Sequence, residues 1–99
     1  MGERGFRARY KYTRQYADAQ AEKYSRGEKI DEWAYERDYQ PGMVPEPPRI
    51  RLTGAAWVAH AYDIAADAAG ILTSRDGSWQ SIVEECKHLA ETYRKERFS

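Results

Sequence analysis

The sequence predicts a mainly α protein: a small bundle of about four helices, in two halves joined by a Pro-rich extended linker. Three observations carry the prediction. Trp79, Ile82, Val83, Cys86, Leu89, Ala90 and Tyr93 recur at steps of three and four residues, the period of an amphipathic helix. Residues 54–69 are apolar almost all round a helical wheel, as a central buried helix would be. All four prolines fall between Gln40 and Leu52, where the missing N–H donors and the extended bias on preceding residues oppose a helix.

In chain order, residues 1–39 form the first half. From Tyr10 to Arg26, Ala17, Ala19, Gln20, Ala21, Glu22 and Lys23 suit a helix, and Gly27 interrupts it. Lys29 to Tyr39 reads as a second short helix, with Ile30, Trp33 and Ala34 on one face and Pro41-Gly42 closing it. The linker occupies 40–52. Residues 53–99 then read as a helical hairpin. Thr53 is the expected N-cap of its first helix. Trp57, Ala61, Ile64, Ala65, Ala68 and Leu72 line one face, with Tyr62, Ala66 and Ala69 on the other. The alanines let another backbone approach closely, either inside the fold or in a homodimer through helix 54–69. Asp76-Gly77 signals a turn, and Ser78 is the expected N-cap of the last helix.

One pattern points elsewhere. Phe6, Ala8, Tyr10 and Tyr12 alternate with Arg7, Arg9 and Lys11, and Ile50 and Leu52 alternate with Arg49 and Arg51. Period two is the strand period. The alternative fold is therefore α+β, with a short N-terminal β-ribbon made from these two strips.

Composition bounds the rest. Ninety-nine residues make a single domain. Lys plus Arg and Asp plus Glu both total 16, which argues against a chain that holds polyanions by bulk charge and against an acidic DNA mimic. The charge is nonetheless segregated: residues 1–27 carry seven basic and three acidic side chains, residues 28–46 two and six. Val, Ile and Leu number 11 against 14 Ala, while Tyr numbers eight and Trp three. A small aromatic, Ala-lined core follows, since one such ring buries about 150–250 Å². A single cysteine excludes an internal disulfide, and no run of 18 apolar residues occurs; the expectation is a soluble cytoplasmic protein.

No spacing of residues singles out a reaction. Gly-rich phosphate loops, GxSxG, HExxH and CxxC are all missing, so the expectation is a protein that is no enzyme and uses no cofactor. His60, Asp63 and Asp67 share a helix edge and read as a solvent-facing sliver rather than a metal site, and Cys86 reads as core. The tyrosines say more. In a helix, Tyr10, Ala17, Ala21 and Tyr24 face the core, while Tyr12 and Tyr16 fall on the far side with Arg9 and Lys23. Tyr35 and Tyr39 likewise fall away from Ile30 and Trp33. Tyr and Arg are hot-spot residues of protein interfaces. Arg9, Tyr12, Tyr16, Lys23, Tyr35 and Tyr39 are therefore the candidate partner-binding residues of a protein-binding module: an inhibitor, adaptor or assembly factor. Short helical chains of this kind are common among phage-encoded inhibitors of host defence, anti-CRISPR proteins included. The alternative is a nucleic-acid binder in which Arg7, Arg9, Lys11 and Arg14 contact phosphates while neighbouring tyrosines stack on unpaired bases.

Overall fold

Alanine sets the centre of the molecule. In the computed structural model, which describes residues 3–35, 42 and 44–96, and side chains from residue 5 on, the Ala-rich stretch forms helix α2 (Ala55–Thr73). The long helix α1 (Glu3–Ser25) packs on one side of it, and α3 (Gln80–Glu96) on the other. Ala59, Ala61, Ala65, Ala66, Ala68 and Ala69 are all buried. The close approach that their small side chains permit is thus used within the chain. Val58, Tyr62, Ala17, Ala90 and Ile30 form the larger core cluster, and Ala65, Ala66 and Cys86 a smaller one capped by Tyr10 and Ile82. Among the described residues three α-helices are found where about four were expected, and the mainly α class holds. Among the described residues no helix is long and apolar enough to cross a membrane.

The difference lies in Lys29–Tyr39. Its first part is a strand, β1 (Asp31–Tyr35), paired antiparallel with β2 (Arg49–Thr53); residues 36–39 lie outside the described residues. A helix of about eleven residues between Gly27 and Pro41 would be marginal by itself. Pairing with β2 instead gives the segment a full set of cross-strand partners, Asp31 opposite Thr53, Trp33 opposite Arg51 and Tyr35 opposite Arg49. The strip Ile50/Leu52 is therefore a strand, as its alternation suggested, but its mate is not the N-terminal strip. Residues 6–12 belong to α1, where Phe6, Tyr10, Thr13 and Ala17 supply a helical period that the alternation of aromatic and cationic residues overlies. A β-ribbon is present, in the middle of the chain rather than at its start.

Two expected caps also move. Thr53 is the last residue of β2, and Gly54 occupies the N-cap of α2 with φ 53° and ψ −128° and no side-chain cap. Its N–H instead donates to the Ile30 carbonyl at 3.1 Å, joining the start of α2 to the entry of β1. At the other turn the Asp76 carboxylate accepts from the Ser78 N–H at 3.0 Å and caps a single 3₁₀ turn, Gly77–Trp79, that leads into α3. The end of the linker is extended as expected and forms β2. The molecule is flat, with extents of 38 × 34 × 19 Å.

Candidate functional site

At 100° per residue, Arg9, Tyr12, Tyr16 and Lys23 lie within an arc of about 60° on α1. The structure places that arc beside α2 and open to solvent. Tyr12 is 70% exposed and Tyr16 41%. Tyr10, one residue round from them, turns inward and packs edge-on against Trp79, with ring centroids 5.3 Å apart. The inward and outward split of the N-terminal tyrosines follows the helical reading of the sequence.

Between the two outward tyrosines and α2 lies a hollow of about 190 Å³, lined by Tyr12, Thr13, Tyr16, Ala61 and Ile64. Its floor exists because Ala61 is too small to fill the space beneath the rings. One wall is rigid. Tyr16 meets Trp57 edge-on at 6.4 Å, and the Trp57 indole N–H donates to the buried Gln20 side-chain oxygen at 3.1 Å. That bond satisfies the one buried polar side chain found among the described residues and ties α1 to α2 at the end of the hollow. His60 stacks at a tilt on Trp57, 5.5 Å between centroids.

Sequence reasoning missed Ile64, which it placed on one apolar face of a helix expected to be buried nearly all round; it is 37% exposed, and Ile71 is exposed as well. His60, Ile64, Asp67 and Ile71 follow one another at helical steps, so the solvent-facing edge of α2 is partly apolar. The two isoleucines among the polar residues were the available signal.

The remaining candidates are distributed differently. Tyr35 stands on the outer face of the ribbon with Asp31, Trp33, Arg49 and Arg51. Its hydroxyl donates to Glu46 at 2.7 Å and accepts from Arg49 at 3.0 Å, and the Arg49 guanidinium lies over its ring at 5.1 Å. Arg51 forks onto Asp31, with Nε to Oδ1 at 2.6 Å, and its hydrogen bonds hold the Asp31 carboxyl below its ordinary value. Both arginines are thereby neutralised, and Trp33 is left exposed between them. Tyr39 lies outside the described residues.

The basic set divides. On a helix Arg7, Lys11 and Arg14 share one face and Arg9 points away from it, so the Arg7–Arg9–Lys11 strip that a strand would have made is absent from α1. Arg14 is held by Asp18 at 3.1 Å and by Glu85 of α3 at 3.2 Å. Burial works against its charge, but hydrogen bonds to Asp18, Glu85 and Tyr10 outweigh that and raise its pKa. Cys86 is fully buried beneath this cluster; burial pushes its thiol up despite Arg14 3.6 Å away, which suits a core residue and not a nucleophile. Asp63 pairs with Arg94 of α3. Among the described residues no three His, Cys, Asp or Glu side chains gather where a metal could sit.

With the fold and its surfaces set out, comparison with known proteins adds nothing to them: no family model, curated protein or solved structure matches the chain.

Proposed function

We propose that the chain is a non-enzymatic protein-binding module whose contact surface is the α1–α2 edge around Tyr12 and Tyr16. The observation that carries this reading is the exposure of two tyrosines and Ile64 around an apolar hollow, in a chain so poor in large apolar side chains that it would otherwise bury them. Rings held stiffly at a surface lose little conformational freedom on binding, which is why Tyr concentrates at interfaces. The hollow itself is smaller than the roughly 300–1,000 Å³ typical of small-molecule sites. It suits one side chain of a partner. Inhibitor, adaptor and assembly factor are the roles a surface of this kind serves. Among inhibitors, the size and helical content match the phage-encoded type directed at host defence, anti-CRISPR proteins included.

Affinity capture from native host extract, with the full chain as bait and mass spectrometry as readout, tests the proposal. Tyr12→Ala with Tyr16→Ala is expected to abolish recovery of the partner while lowering stability by no more than about 1.5 kcal/mol, the upper worth of the Tyr16–Trp57 edge contact. A large fall in stability would instead make the rings part of the core, and undiminished recovery would remove them from the interface. The nucleic-acid reading has a direct counter-test. Titration with single- and double-stranded probes at low salt is expected to give no binding, because Arg14 is committed internally and Arg9 stands on the opposite face of α1 from Arg7 and Lys11. Binding that weakens steeply with salt would reverse that expectation.

A further inference from the structure

We infer that the Tyr12–Tyr16 hollow receives an acidic amphipathic helix from a partner protein, seated by one apolar side chain and flanked by carboxylates that meet Arg9 and Lys23. The inference rests on the protein-binding reading and gives that partner a chemistry.

The walls of the hollow come from two neighbouring helices, α1 and α2. The seam between two helices takes a third helix readily, through a face of i, i+3, i+4 and i+7 side chains. The volume of about 190 Å³ accommodates one anchor of Leu, Met or Phe size. Charge selects the sign of the flanks. Arg14, Arg26, Arg49, Arg51, Arg94 and Lys95 each hold a carboxylate of this chain. Arg9 and Lys23, both exposed on the edge that carries the tyrosines, form no ion pair with any described residue. Asp67, exposed on α2, is already engaged.

The spacing is asymmetric. Fourteen residues separate Arg9 from Lys23, about 21 Å along the helix axis, and the midpoint of the two tyrosines lies nearer Arg9. A partner helix running along α1 therefore carries acidic side chains about fourteen residues apart, with its anchor nearer one end. A second copy of the chain fits less well. A two-fold axis through the tyrosines would gather two Arg9 and two Lys23 side chains along one seam, with no acidic residue on that edge of α1 to offset them.

The test is a selection of random 20-residue peptides displayed against the full-length chain, with counter-selection against the Tyr12→Ala/Tyr16→Ala variant. Surviving peptides are expected to be rich in Asp and Glu on either side of an apolar residue, at the spacing above. Their affinity should fall about tenfold in the Arg9→Glu/Lys23→Glu variant, whose melting temperature drops only by the small cost of losing the cation in the last turn of α1, and should weaken between low and high salt. Tyr-dependent peptides without acidic bias, or indifferent to the charge reversal, would overturn the inference and leave the protein-binding reading standing. Failure to obtain any Tyr-dependent peptide would remove both. A solution dimer dissociated by Tyr12→Ala/Tyr16→Ala would put a second copy in the hollow and overturn the acidic-helix assignment.

Discussion

Tyr62 shows how single side chains join the helices. It is buried on α2, its hydroxyl donates to Asp18 of α1 at 2.7 Å, and its ring stacks on Tyr93 of α3 at 5.9 Å. Burial and then the adjoining Asp18 carboxylate raise its pKa above the ordinary value of 10.0. A raised folded value means the neutral hydroxyl contributes stability in full below about pH 10, and that contribution is lost as pH rises through the folded value. Tyr62→Phe is expected to cost about 1 kcal/mol at neutral pH, the usual net worth of such a hydrogen bond. The difference between wild type and variant should shrink above pH 10 when unfolding is followed by denaturant titration across pH. A difference that stays constant into strong alkali would show that the hydroxyl does not titrate against Asp18.

Elements were legible where one period dominated. The arc from Trp79 to Tyr93 and the near-continuous apolarity of 54–69 could only be helices, and both are. The same helical period told Tyr12 and Tyr16 from Tyr10, so most of the candidate site on α1 was readable before the fold was known. The ribbon was legible only in its second strand, because Ile30 and Ala34, four residues apart, share a face of a helix and of a strand alike, and the outward turn of Trp33 shows only once Arg49–Thr53 pairs with the segment. Ile64 was misplaced for a similar reason: a wheel assigns faces, but the positions of α1 and α3 determine which are covered. Gly54 is the hinge that sequence could not announce. Its φ of 53° with ψ −128° is a backbone state essentially closed to residues bearing a Cβ. The ring of Tyr24 would stand 3.6 Å from an added methyl, an ordinary contact. Gly54→Ala is therefore expected to destabilise by about 1–3 kcal/mol through the backbone alone, measurable as a fall of several degrees in thermal midpoint. An unchanged midpoint would mean the ribbon can re-angle against α2 at little cost.

For the whole molecule, the radius of gyration of 14.2 Å exceeds the roughly 13 Å typical of compact chains of this length, in keeping with a flat body carrying a ribbon. The segregation of basic residues in 1–27 from acidic ones in 28–46 is bridged among the described residues by Arg26 and Glu28, while Asp31 and Glu46 pair with Arg51 and Arg49. Arg9 and Lys23 stay exposed on the edge of α1 that carries the tyrosines, which no count of total charge could reveal. Amide hydrogen exchange should mirror the architecture. The central turns of α2, covered by both neighbours, are expected to exchange slowest, and β1 and β2 much faster. Equal protection would mean that ribbon and helices open as one unit.

The contact between Tyr16 and Trp57 has an optical consequence. Trp57 is the indole that borders the hollow, whereas Trp33 stands on the ribbon and Trp79 packs against Tyr10. Replacing Trp33 and Trp79 with Phe would leave one indole, in edge contact with Tyr16 of the hollow. Whatever occupies the hollow would then change the solvent seen by that indole, and the spectrum would shift towards the blue as it filled. An indole one ring behind the hollow would thus serve as a fluorescent gauge of its occupancy.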